Sequence, residues 1–275
     1  MSKKQEWRLI IHPPTRGSWN MAVDEAILEA VGKRDAPPTL RLYGWNPPCL
    51  SLGYAQDVKD VDINNLIQNK WDLVRRPTGG QAILHTDELT YAVIGTPDNP
   101  ILSGSVLESY QRIAYALLKT LEILGLSAQS LPMDSSVTNS KKPICFEIPS
   151  NYEITANHKK IIGSAQARRQ GGILQHGAIP LKGDLQRITQ VLTFPDEESR
   201  STAAQRLMTR ATTIESILGK IITLEEASSA IIQAFEETLE IRFLSQELTP
   251  AEHNRASVLE VEKYACESWN YKKEQ

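Results

Sequence analysis

The chain is poor in the features that mark several large protein classes. Its 275 residues include three cysteines, Cys49, Cys145 and Cys266, an odd number set far apart and in no metal-ligand spacing. That pattern disfavours both a disulfide framework and a cysteine-held metal, and it predicts free thiols in a reducing compartment, the cytoplasm. No apolar run approaches the ~18 residues needed to span a bilayer, and residues 1–10 have no apolar stretch of signal-peptide length. No membrane partner is therefore expected. A net charge of −3 provides no electrostatic footprint for nucleic acid. Gly-x-Ser-x-Gly, His-Glu-x-x-His, phosphate-loop and dinucleotide-binding patterns are all missing, which leaves serine hydrolase and zinc protease readings without support. There are no repeats and no low-complexity tract.

What remains is an ordinary globular composition, 41% hydrophobic and 23% charged, on a chain long enough to bury a sizeable core. Hydropathy spacing predicts a strand over 7–11, then a helix capped by Ser18 and closed by Gly32. Short strands follow at 39–43 and 49–54, separated by Asn46-Pro47-Pro48, then a helix near 61–68 and a strand at 72–75. After a glycine turn, another strand is predicted at 89–94. The longest helix opens on the capping box Ser105 to Glu108 and ends at Gly125. Its stripe of Val106, Tyr110, Ile113, Leu117, Leu121 and Leu124 reads as core. Residues 144–181 change to a meander with strands at 152–155, 160–168 and 174–180. The rest is mostly helical, with a capping box from Thr223 to Glu226 and a last helix from 249 to about 264. Hairpin strands mixed with helices predict an α+β fold, a mixed and mainly antiparallel sheet flanked by helices. The expected organisation is a catalytic domain over 1–245 and a short helical C-terminal extension of the same domain over 246–275.

Three segments could carry chemistry. Cys145 stands at the head of a basic stretch that holds Lys141, Lys142, Lys159, Lys160, Arg168, Arg169 and Lys182 against Glu147 and Glu153. Nearby cations stabilise a thiolate and make it a nucleophile, although a lone cysteine is more often an apolar filler. Lys160 precedes Ile161-Ile162-Gly163-Ser164-Ala165, where small residues permit close backbone approach to a ligand; alone, the lysine pair also fits a solvated hairpin tip. Arg75-Arg76-Pro77-Thr78-Gly79-Gly80 is a strand end followed by a turn whose N–H groups can hold a carboxylate, phosphate or acyl carbonyl. His85 and His176 could reach the same pocket, or simply pack. The basic stretch suggests a docking face for an acidic partner, with a plain solvated hairpin as the alternative.

In chain order, Ser51-Leu52-Gly53, the segment from Arg75 to His85, Leu89-Thr90-Tyr91, Cys145-Phe146 with Pro149 to Glu153, Lys160 to Gln166, and Leu174 to Gly177 resemble the biotin/lipoate protein ligase and transferase family. The resemblance runs from about residue 7 to 182. It implies a biotin/lipoate ligase-like catalytic fold and an octanoyltransferase acting in lipoate biosynthesis. Gln81 occupies the place of a third glycine found in the ATP-dependent lipoate ligases, and Cys145 stands where the transferase branch has its cysteine. By that resemblance, Cys145 takes octanoyl from octanoyl-acyl carrier protein as a thioester. The acyl group then passes to a lysine of a lipoyl domain or of the glycine-cleavage H protein, with no cofactor and no metal. Lys160 would support the thiolate, and Arg75, Gly79, Gly80, His85, Gly163, Ser164 and His176 would bind substrate. The resemblance names Lys160, and because successive strand residues face opposite sides, Lys159 is then expected to face away from the pocket. The alternatives are an ATP-dependent lipoate ligase, an amidotransferase of the same family, and a non-catalytic lipoyl-domain-binding scaffold.

Overall fold

The structure, a computed structural model, describes residues 4–132, 144 and 152–272. Two sheets organise these residues. In the larger, β1 (Gln5–Ile11) lies parallel to both β11 (Ile241–Ser245) and β2 (Thr39–Tyr43). From β2 outward the pairing is antiparallel through β6 (Glu88–Gly95), β10 (Gly172–Pro180), β9 (Lys159–Arg169), β8 (Tyr152–Ala156) and β7 (Gln129–Pro132). The smaller sheet places β3 (Cys49–Leu52) between β4 (Asp72–Arg75), which runs parallel to it, and β5 (Ile83–His85), which runs antiparallel. The α+β class expected from the sequence is the one observed.

Period-two alternation sends the two faces of the large sheet into different cores. Leu40, Leu42, Tyr91 and Val93 point to the face covered by α3 (Val106–Ile123) and α6 (Leu224–Thr238), where Ile113, Leu117, Ile231 and Phe235 pack. Tyr43, Ala92, Ile94 and Leu174 point the other way, to α1 (Gly17–Gly32) and α7 (Pro250–Leu259). Helix signals read from the sequence hold where a side chain closes the end. Ser105 and Thr223 form the full capping boxes expected, and Thr249, expected only as a helix start, forms a third with Glu252. Both meander turns are tight, with positive φ at Asn157 and His158 and again at Gln170 and Gly171, the backbone that suits a twisted two-residue hairpin.

Several expectations need correction. Ser18 does not cap α1: the cap residue is Arg16, without a side-chain bond, and the Ser18 hydroxyl instead donates to Glu260 at 2.7 Å. Gly32 is there for space, since a Cβ would lie 2.0 Å from the carbonyl oxygen of Gln170; the left-handed residue past the helix is Arg34. β3 stops at Leu52, short of the predicted 54, and β5, β7 and β11 were not anticipated. They are three to five residues long, too short for alternation to show, and their partners are remote in sequence. Val106, at the head of α3, is exposed rather than core.

Residues 246–272 pack against the body. α7 lies along α1, and Glu252 forms a two-bond pair with Arg8 at 2.6 and 2.8 Å, both side chains almost fully buried. Glu252 also receives the Thr249 N–H of its own capping box. Removing one partner of such a pair leaves an uncompensated buried charge at a cost of about 3–5 kcal/mol. Glu252→Ala is expected to lose stability on that scale in denaturant unfolding. The Arg8→Met, Glu252→Leu double variant should lose less than either single one.

Candidate active site

A cavity of about 660 Å³ opens where the two sheets meet. Its apolar wall includes Met21, Ile83, Val106, Leu107, Ala165 and Ala178, and its polar groups arrive from the glycine turn, β5, β9 and β10. Of the residues expected to bind substrate, Gly79, Gly80, His85, Gly163, Ser164 and His176 all line this cavity, as does Lys160. Residues between 79 and 176 are thus gathered from four separate segments. Tyr110, read from the sequence as part of the α3 core stripe, also lines it and donates its hydroxyl to the Ser164 carbonyl at 3.0 Å.

The glycines serve close approach. A Cβ on Gly53 would sit 1.7 Å from the carbonyl oxygen of Gly80, and one on Gly177 would sit 2.6 Å from that of Gly163. Gly80 itself has φ of 93°, a left-handed conformation that any other residue adopts at a cost. Gly79 faces open space, with nothing near its missing Cβ.

Lys160 is 3% exposed, and its ammonium lies 3.1 Å from Glu153 Oε1. Its neighbour Lys159 is half-buried and does not reach the cavity lining. Cys145 lies outside the described residues, as do Lys141 and Lys142. Ile144, the residue before Cys145, is buried and bridges Ala82 beside the glycine turn. The other two cysteines are away from the cavity lining. Cys49 is fully buried, and burial pushes its thiol well above the ordinary value, which makes it an inert core group.

Arg75 is a correction. It does not line the cavity: its guanidinium is buried among the carbonyls of Gly53, Tyr54, Gln56, Trp269, Asn270 and Lys272, at 2.5–3.2 Å. Three of those six, on Trp269, Asn270 and Lys272, belong to a segment whose proximity no local pattern reveals. The cavity receives Arg76 instead, because adjacent residues at a strand end face opposite ways. Arg76 donates to the Ser51 hydroxyl and carbonyl at 3.1 and 3.0 Å and to the Gly79 and Gln81 carbonyls at 2.8 Å. The basic stretch is also split. Arg168 and Arg169 flank the β9–β10 turn, while Lys182 follows the far end of β10, about 27 Å away at strand rise.

Two histidines line the cavity. His85 Nδ1 is 2.5 Å from Glu88 Oε1, its Nε2 is 2.7 Å from Ser51 Oγ, and Trp45 stacks on the ring at 3.9 Å. His176 Nε2 is 2.6 Å from Thr78 Oγ1 and its Nδ1 3.2 Å from Asp24 Oδ2. Burial pulls His176 below its ordinary value, against the raising effect of Asp24. Burial alone would raise Asp24; the adjacent Arg41 guanidinium, at 2.6 Å, and His176 bring its carboxyl below the usual range. Ser51, Arg76 and Thr90 lie inside the motif segments and Glu88 and Trp45 lie outside them; none of the five is singled out by the sequence as a site residue.

On the outer side of Arg41, burial and then the Arg41 charge hold His12 at about 4, against an ordinary 6.5. A base depressed in the fold is neutral there while the unfolded chain already takes up its proton, so stability falls as pH drops below 6.5. His12→Asn should flatten the slope of unfolding free energy between pH 6.5 and 5, a window above the ordinary carboxylate range. An unchanged slope in a urea titration series would remove His12 from that account.

Comparison with known proteins agrees with this geometry. Residues 16–236 match the family described as the lipoyl protein ligase A/B catalytic domain. Across 98% of its length the chain is 39% identical to octanoyltransferase LipM of Kyrpidia tusciae and 37% identical to octanoyltransferase LipM of Bacillus subtilis, spanning 100% of both. Among solved structures it is similar to a chain of the Thermoplasma acidophilum lipoylation system, a bi-partite lipoate protein ligase and its E2 lipoyl domain. That match has 28% identity and a TM-score of 0.81, over 97% of this chain and 96% of the other. It is also similar to a lipoate-protein ligase A bound with ATP, at 29% identity and a TM-score of 0.78, over 97% and 99%. With the motif segments, the fold and the cavity in agreement, the chain belongs to the lipoyl protein ligase A/B catalytic-domain family.

Proposed function

We propose that this chain is an octanoyltransferase of lipoate biosynthesis, which moves octanoyl from acyl carrier protein through a thioester on Cys145 to a lysine of a lipoyl domain or of the glycine-cleavage H protein. The observation that carries the reading is a buried lysine, Lys160, set in a largely apolar cavity of ligand size beside a glycine turn. An apolar chain fills such a cavity, and the ammonium suits a thiolate or a polarised thioester carbonyl at its end. Full-length similarity to octanoyltransferases supports the acyl group chosen.

The cysteine follows by elimination and by position. Cys49 is sealed in the core, and Cys266 is bonded to the Val261 carbonyl away from the cavity. Cys145 directly follows Ile144, whose bridge to Ala82 brings the chain to the glycine turn. Thioester exchange is nearly isoenergetic and amide formation is downhill, so the transfer needs neither ATP nor a metal. Among the described residues no group of three metal-ligating side chains occurs, and no helix is long and apolar enough to cross a membrane. Residues 246–275 act as an extension of the one catalytic domain.

Incubation with octanoyl-acyl carrier protein followed by mass spectrometry should find octanoyl on Cys145. Cys145→Ser should abolish transfer to the acceptor, and Cys49→Ser and Cys266→Ser should retain it. Full activity of Cys145→Ala, or modification that requires ATP, would overturn the transferase reading in favour of a ligase. Lys160→Ala should slow transfer by about a hundredfold, the scale for loss of one electrostatic stabiliser, while Lys159→Ala should change it little.

A further inference from the structure

Lys160 and Cys145 account for the thioester, but amide formation also requires a base for the acceptor nitrogen. The cavity holds two hydroxyl–histidine–carboxylate chains, Ser51–His85–Glu88 and Thr78–His176–Asp24. They are not equivalent. Thr78 is not part of the cavity lining, and the Asp24 carboxylate is shared with Arg41 and Tyr43. Ser51 and His85 both line the cavity.

With Glu88 ionised and the His85 ring neutral, the hydrogen-bond roles in the first chain follow from one another. A carboxylate only accepts, so Glu88 takes the Nδ1–H of His85, and Nε2 is left as an acceptor. The Ser51 hydroxyl must then donate to Nε2, and its lone pair accepts from Arg76. Thr90 donates to the same Glu88 oxygen and receives the Trp45 indole N–H, which fixes the carboxylate and the stacked ring together. The ring nitrogen that accepts from Ser51 is thereby directed toward the cavity, which Ser51 and His85 both line.

On the octanoyl-transfer reading above, we propose that Ser51–His85–Glu88 is the proton relay for the aminolysis step. As the acceptor amine nitrogen forms its bond to the thioester carbonyl carbon, it releases one proton to Ser51 Oγ, and the serine passes its own proton to His85 Nε2. Glu88 orients the ring and stabilises the imidazolium, as the buried carboxylate does in serine hydrolases. When the C–S bond breaks, the proton returns through Ser51 to the departing sulfur. Amine plus thioester thus becomes amide plus thiol with nothing left over. Ser51 and His85 are the catalytic residues of this step, and Glu88 is a positioning residue. The charged and titratable groups around His85 are Glu88, Arg76 through Ser51, His176 and Lys160 in the same lining, and Cys49 opposite it on β3.

The test separates the two half-reactions. Octanoyl-enzyme is formed with octanoyl-acyl carrier protein, and its single-turnover reaction with a lipoyl domain is followed from pH 6 to 9. Wild type, Ser51→Ala and the near-isosteric Glu88→Gln are compared, with the acylation rate of each as an internal measure of folding. General-base assistance is worth about a hundredfold or more. Both variants should therefore slow amide formation near pH 7 on that scale, and far more than they slow acylation. The deficit should shrink as pH rises, because hydroxide can replace the relay while the ionisation of the acceptor lysine cancels from the ratio. Equal losses in both half-reactions, a deficit constant across pH, or no deficit in an acylated variant would overturn the relay alone. A wild-type chain that never acquires octanoyl would overturn the transfer reading, and the relay with it.

Discussion

The buried contact between Asp24 and Arg41 is the constraint on which most of the site depends. Both side chains are fully inaccessible, one on α1 and the other on β2, and Arg41 also binds the Asn20 carbonyl and side chain. A charge pair taken out of water repays its desolvation only when its remaining hydrogen bonds are filled. Here they are filled by Tyr43 and His176, two residues of the cavity wall. The interaction that pins the helix to the sheet therefore also sets the orientation of one side of the cavity. A helix held only by Ala22, Val23, Ala26 and Ile27 could slide; one held by a buried carboxylate has a single register.

The far wall is held by a different device. Arg75 gathers carbonyls from the loop after β3 and from the last residues described, so that residues 269–272 tie down the strand that leads into the glycine turn. Arg76 then clamps the turn itself through Gly79 and Gln81. Two adjacent arginines thus divide structural and site duties by the alternation of the strand. The family match ends at residue 236, yet β11, α7 and α8 (Glu267–Asn270) beyond it supply a sheet edge, a buried ion pair and this anchor. Chain beyond the matched residues thus helps hold the strand that leads into the glycine turn, although none of it lines the cavity.

Much was legible locally. Capping boxes at Ser105, Thr223 and Thr249 are short-range chemistry, and so are the hairpins at 156–158 and 170–172; each can be read from four or five residues. Strand alternation allows only one of Lys159 and Lys160 to face the cavity, and the family resemblance named Lys160. The motif segments from Ser51 to Gly177 marked the family and most residues that line the cavity. Composition and the spacing of three cysteines set the class of chemistry to consider.

Other features were decided only by the tertiary structure, because they are made by residues that are neighbours in space and not in sequence. Ser18 looked like a cap, but Glu260, 242 positions on, competes successfully for its hydroxyl. Arg75 looked like a ligand, but carbonyls nearly 200 positions away occupy it. β11 is a five-residue strand whose partner is the first strand of the chain. Ser51, His85 and Glu88 become one hydrogen-bonded line only because β3 and β5 are paired and β6 follows at the right angle. Local pattern could determine which side chains had the right chemistry; which of them meet was determined by strand pairing and buried charge, both of which act across the whole length of the chain.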